Sequence, residues 1–120
     1  FWDATCGQCK ETLPKIDSMY QAKWKATGLK IYSVSKQTDG TIEDWKKFVR
    51  ENKLDWLNVF YSKADERARV TNSIPGYSQL YDVQSFPTLY LLDKDKRIVA
   101  KKLTYQQMDE VLTMKIKNSN

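Results

Sequence analysis

The sequence predicts an α/β fold, and three observations predict it. Apolar residues recur three and four apart from Lys10 to Trp24 and then at every second position over residues 29–35, so a helix gives way to a strand. Two cysteines, Cys6 and Cys9, stand where an extended apolar pair, Phe1-Trp2, meets that helix. The chain then closes on a charged turn, a strand and a last amphipathic helix. At 120 residues it is read as one domain, long enough to bury close to two-thirds of its unfolded surface.

Phe1-Trp2 reads as the end of a strand whose greater part would precede the sequence, so the chain is read as a fragment of a longer one with a truncated first strand. The helix that follows carries Leu13, Ile16, Tyr20 and Trp24 on one face and ends near Thr27-Gly28, with Pro14 expected to kink it. Residues 29–35 are rich in β-formers and read as a strand parallel to the one ending at Trp2. This is a βαβ unit with its cysteines at the carboxyl end of the first strand, where open α/β sheets place their chemistry. Asp39-Gly40 makes a turn, and Thr41 with Asp44 is a capping box opening a second helix with Ile42, Trp45, Phe48 and Val49 as its buried stripe.

Residues 58–61 read as a third strand. Residues 62–73 show no clear period and read as a loop, with a turn of helix at most over 64–69. Ile74-Pro75-Gly76 is a turn into a short helical segment near residues 77–81. Residues 88–92 form an apolar strand, residues 93–96 a charged hairpin turn, and residues 97–102 the returning strand. Thr104 and Gln107 then cap a helix whose Tyr105, Met108, Val111 and Leu112 face the sheet.

The two cysteines carry the chemistry. A thiol at a helix N-terminus meets unpaired backbone N–H groups and the positive end of the helix dipole, which favour thiolate over thiol. Cys6 is therefore the nucleophile, and Cys9, one turn on and facing the same side, attacks a mixed disulfide formed at Cys6. Core packing is the competing reading for the thiols, and a strand-to-helix turn is poorly placed for it. Trp24 and Trp45 are assigned to the core, and Trp2 to a position packed below the active site. Lys10 either assists Cys6 electrostatically or is simply solvated. Tyr77 and Tyr81 border the site or pack at its rim.

Composition excludes several functions. The net charge is +5, but the 20 Lys and Arg residues are spread along the chain, which describes a solvated surface rather than a nucleic-acid footprint. No run of eighteen apolar residues occurs, so nothing reads as a membrane span. Both cysteines lie in one C-x-x-C and histidine is absent, so neither a disulfide framework nor a zinc site is drawn; no metal is expected.

The run Phe1-Trp2-Asp3-Ala4-Thr5-Cys6-Gly7-Gln8-Cys9-Lys10, with Pro14 five residues after the second cysteine, resembles the active-site segment of the thioredoxin family. Thr5 departs from the aromatic residue usual there, which alters the substrate surface beside Cys6, and Gln8 departs from a proline, which shifts the redox potential. The run Val83-Gln84-Ser85-Phe86-Pro87-Thr88 resembles the second signature of that family, in which the proline is cis, packs beside the active-site disulfide and presents the backbone at Ser85 and Phe86 to an extended substrate. The added helix-strand unit of residues 41–61 resembles the TlpA/ResA branch. That resemblance implies a mixed five-stranded sheet with helices on both faces. Its order is residues 58–61, 29–35, Phe1-Trp2, 88–92 and 98–102, three parallel strands plus an antiparallel C-terminal hairpin.

The resemblance further implies a thiol-disulfide oxidoreductase with no cofactor beyond a redox-active Cys6-Cys9 disulfide. Trp2, Thr5, Gly7, Gln8 and Lys10 neighbour the dithiol, and Ser85, Phe86 and Pro87 bind substrate. The direction expected is reduction of protein disulfides, because Gly7-Gln8 places no stabilising charge between the cysteines. The partners implied are a disulfide-bearing protein substrate and a membrane-linked electron donor, for a monomer working outside the cytoplasm. A redox-inactive peptide-binding module using the Pro87 groove is the alternative. A peroxiredoxin is disfavoured, because Asp3 stands where that family has Thr or Ser.

Overall fold

The structure is a computed structural model that describes the backbone of residues 1–119 and the side chains of residues 1–115. Helix α1, Gly7–Met19, continues through Pro14, then widens to a π turn over Tyr20–Trp24 and tightens to a 3₁₀ turn over Lys25–Thr27. Gly28 ends it at φ 89°, a left-handed position that glycine adopts without steric cost. Strand β1, Tyr32–Lys36, pairs in parallel with β2, Leu57–Tyr61, and the intervening helix α2 is Ile42–Glu51. After β2 come α3, Lys63–Thr71, and α4, Tyr77–Leu80. The antiparallel strands β3, Leu89–Leu92, and β4, Ile98–Leu103, follow, and α5, Tyr105–Ser119, closes the chain.

The expected five-stranded sheet is not what forms. Among the described residues there are two two-stranded sheets, and Phe1-Trp2 joins them by hydrogen bonds without being a strand itself. Trp2 N donates to the Val34 carbonyl at 3.0 Å and accepts at its own carbonyl from Lys36 N at 2.8 Å, a parallel bridge to Ser35. On the other side Phe1 N donates to the Thr88 carbonyl and Thr88 N donates to the Phe1 carbonyl, both at 2.9 Å. The lateral order is thus the expected one, β2, β1, residues 1–2, β3, β4. Two residues carry one bridge on each side, too few for a ladder that needs repeated pairs.

Partner length also explains the shift of β1 from 29–35 to Tyr32–Lys36, since its five residues pair one for one with those of β2. Consecutive residues of an extended segment point to opposite faces. Phe1 accordingly stacks on Tyr77 of α4, with ring centroids 5.1 Å apart, and Trp2 packs on Phe48 of α2 at 5.4 Å, so helices cover both faces.

Residues 62–73 correct the sequence expectation of a loop. Ser62 Oγ accepts from Asp65 N at 3.0 Å while Asp65 Oδ2 accepts from Ser62 N at 2.9 Å, a capping box that starts the nine-residue helix α3. The weak apolar period hid it; the Ser-x-x-Asp spacing was the signal. The core gathers Trp2, Cys9, Leu13 and Ile16 with Trp24, Leu91, Met108 and Leu112.

Trp24 is buried, and its Nε1 donates to Asp109 Oδ1 at 3.1 Å, while Lys23 Nζ pairs with the same oxygen at 3.0 Å. Burial opposes the Asp109 charge, but the hydrogen bonds from Trp24 and Lys23 and the lysine charge outweigh it and hold the carboxyl below its ordinary value. Asp109→Ala leaves the indole N–H unpaired in the core and is expected to cost about 1–3 kcal/mol, read by urea denaturation. Asp109→Asn, which keeps an acceptor for Trp24, should lose clearly less.

Candidate active site

Cys6 is the N-cap of α1, extended at φ −78° and ψ 120°, and its Sγ accepts the backbone N–H of Cys9 at 3.3 Å. A serine or threonine oxygen does this at other helix starts. Here the capping atom is the sulfur, so the Cys6 thiol faces a backbone donor. The turn that delivers it is fixed by Asp3, whose carbonyl accepts Cys6 N at 3.1 Å and whose Oδ1 accepts Thr5 N at 2.8 Å. On its open side the Cys6 thiol donates to the Phe86 carbonyl at 3.7 Å.

Cys9 is different in every respect. It is 0% exposed, and its thiol is pushed up to about 12, first by burial and then by its hydrogen bond with Cys6. The charges of Cys6 and Asp3 push the same way, against a backbone hydrogen bond at Asp3. One sulfur is reachable and capped by a donor; the other is a buried thiol directly behind it.

A groove of about 700 Å³ opens beside this pair, lined by Gln8 and Lys15 of α1, Ser85, Phe86 and Pro87 ahead of β3, and Tyr105 of α5. The Phe86–Pro87 peptide is cis. The Ser85 carbonyl accepts Thr88 Oγ1 at 2.6 Å, and the Phe86 carbonyl faces Cys6.

Of the other residues singled out in the sequence, Trp2 lies buried against Phe48, and Gly7 is the exposed first residue of α1. Gln8 reaches the groove. Lys10 is exposed, and its charge acts on the Asp44 carboxyl behind the hydrogen bonds that Asp44 receives from Thr41. Thr5 is exposed beside Cys6 and bonded to Asp3. Tyr77 is buried, and Tyr81 packs with Tyr90 around Phe1, so neither lines the groove. Sequence reasoning missed Asp3 and Thr38. Asp3 is 4% exposed with a hydroxyl-bearing residue two positions on, an Asp-x-Thr spacing that reads as a side-chain turn.

A family model described as thioredoxin-like matches residues 1–98. The chain belongs to the thioredoxin-like family. Within it, the chain is 26% identical over 111 residues to thiol-disulfide oxidoreductase ResA of Bacillus cereus, a match covering 92% of this chain and 56% of that protein. It is 28% identical over 117 residues to sporulation thiol-disulfide oxidoreductase A of Bacillus subtilis, covering 92% and 62%. The chain thus spans 56% and 62% of the length of these two relatives.

Among solved structures it is similar to the thioredoxin domain of a thiol-disulfide oxidoreductase from Bacteroides vulgatus. That match has a TM-score of 0.69 and 33% identity, over 92% of this chain and 74% of the other. It is also similar to a thiol:disulfide interchange protein from Bacteroides sp., with TM-score 0.64 and 35% identity over 92% and 68%. These thioredoxin-like relatives agree with the TlpA/ResA resemblance carried by the added unit α2–β2. No described helix is long and apolar enough to cross a membrane. Among the described residues no group of three or more His, Cys, Asp or Glu could hold a metal ion.

Proposed function

We propose that this chain is a thiol-disulfide oxidoreductase that reduces protein disulfides outside the cytoplasm, using Cys6 and Cys9 as its dithiol. The observation that carries the reading is the asymmetry of the pair: a capped, reachable Cys6 sulfur at a helix N-terminus with a buried Cys9 thiol one turn behind it. The Cys6 thiolate attacks one sulfur of the substrate disulfide, and the other leaves as a substrate thiolate that takes a proton. Cys9 then gives up its proton and attacks the Cys6 sulfur, forming Cys6–Cys9 and releasing the second substrate thiol. Two electrons pass from the dithiol to the substrate.

The direction rests on what lies between the cysteines. Gly7 and Gln8 are uncharged and the chain has no histidine, so no cation between the sulfurs favours the dithiol over the disulfide. The TlpA/ResA resemblance and the named relatives support a place outside the cytoplasm, with a membrane-linked donor restoring the dithiol. With dithiothreitol as donor, the protein should accelerate the reduction of insulin, and Cys6→Ser should abolish that acceleration. A redox-inactive peptide-binding module would leave insulin reduction at the rate of dithiothreitol alone.

A further inference from the structure

Asp3 is a carboxylate at 4% exposure directly after the central Phe1-Trp2 bridge, and a buried charge is costly unless its lone pairs are occupied. Three donors occupy them. Oδ1 accepts Thr5 N and Thr5 Oγ1, both at 2.8 Å, and Oδ2 accepts Thr38 Oγ1. Two of the three donors belong to the turn that delivers Cys6, and the third belongs to the loop after β1. That loop is held in turn, since Gln37 Nε2 donates to the Gly40 carbonyl at 3.0 Å and Gln37 Oε1 accepts Lys63 N at 3.0 Å from the start of α3. Thr5 and the loop also touch directly: a Cβ at Gly40 would lie 2.5 Å from Thr5 Cγ2, so there is no room for a side chain between them.

We propose that Asp3 is a positioning residue of the reaction, closing with Thr5 and Thr38 a carboxylate-hydroxyl clasp that fixes the Cys6 turn against the loop of residues 37–40. This rests on Cys6 being the attacking thiol. A nucleophile at a helix N-cap is useful only if the residues before it hold its sulfur on the line of attack, and a misplacement of 1 Å costs about 10²-fold. The turn ahead of Cys6 is short: Ala4 is buried in the core, but Thr5, the residue next to Cys6, is exposed, and the clasp holds that exposed end. The ionisable groups that feel the Asp3 charge are Cys9 and Tyr77; each is pushed up first by burial, the Asp3 charge is the last contribution to either, and at Cys9 the backbone hydrogen bond at Asp3 works against it. Cys9 is further faced by Cys6.

The test follows a single thiol. In a Cys9→Ser background, the second-order reaction of Cys6 with dipyridyl disulfide is measured across pH, with the folded fraction fixed by parallel urea denaturation. The Cys6 thiolate displaces one pyridinethiolate and forms one mixed disulfide. Asp3→Ala should slow the reaction of the folded protein by about tenfold or more. Thr38→Val, at a half-buried loop position, removes one arm while keeping the charge and should slow it in the same direction. Asp3→Asn keeps an acceptor for Thr5 and turns the second atom into a donor to Thr38 Oγ1, so it should recover most of the rate at every pH. Wild-type rates in folded Asp3→Ala or in Thr38→Val would overturn the clasp, as would Asp3→Asn reacting as slowly as Asp3→Ala. A Cys6 that fails to react even with Asp3 and Thr38 intact would instead defeat the reading of Cys6 as the nucleophile, and the clasp with it.

Discussion

Cys9→Ser is expected to stop the reaction halfway and leave Cys6 joined to its substrate. Cys6 still caps α1 in that variant, and the backbone N–H of residue 9 still faces its sulfur, so the first attack proceeds. What disappears is the intramolecular second thiol. A reacting group held in place acts at effective concentrations of about 10⁵ M or more, which millimolar thiol in solution does not replace, so turnover should fall by at least about 10³-fold. Non-reducing electrophoresis should show a mixed disulfide with insulin chains that dithiothreitol dissolves. Cys6→Ser should lose turnover equally and trap nothing, because the remaining thiol is buried. Trapping by Cys6→Ser rather than by Cys9→Ser would reverse the assignment.

The second large effect is selective labelling of the reduced protein. With its thiol pushed well above its ordinary value by burial and by its hydrogen bond with Cys6, Cys9 is held as the un-ionised thiol at pH 7. It is also closed to reagent, at 0% exposure behind Cys6. Iodoacetamide at pH 7 should therefore attach to Cys6 alone, and Cys9 should be labelled only after the protein is unfolded. The sign with pH follows from the raised value: as pH rises from 7 to 9, Cys9 ionises more but remains mostly the thiol, so its labelling should rise with pH and stay behind that of Cys6. Peptide mapping that found Cys9 labelled as fast as Cys6 in the folded protein would contradict the division of roles.

Much of this arrangement was legible in the sequence. The C-x-x-C after Phe1-Trp2 placed Cys6 and Cys9 at the start of α1, and the Thr41 and Thr104 boxes located the starts of α2 and α5, because caps and short motifs act over three or four residues. What stayed hidden acts over long sequence separations or against composition. Helix α3 starts from a Ser62-Asp65 box as sound as the one at Thr41, but its stripe is too polar to display a period. The five-stranded sheet failed at its centre, where Phe1-Trp2 bridges both neighbours but is too short to form a ladder with either. The clasp at Asp3 joins residues 35 apart in the chain, and Thr38 gives no sign in its own neighbourhood that it will meet a carboxylate. The Phe86 carbonyl lies 80 residues from the sulfur it faces.

The reductant reading is tested most directly by the equilibrium between the Cys6-Cys9 pair and glutathione buffers of graded potential at pH 7, followed by counting alkylatable thiols in the quenched protein. An uncharged Gly7-Gln8 spacer places the expected midpoint near that of thioredoxin, about −270 mV. A midpoint above about −180 mV, in the range of a disulfide isomerase, would make the pair an oxidant of its substrates and contradict the proposed direction. No transition at any potential would leave the pair without a reversible disulfide and would sink the oxidoreductase reading itself.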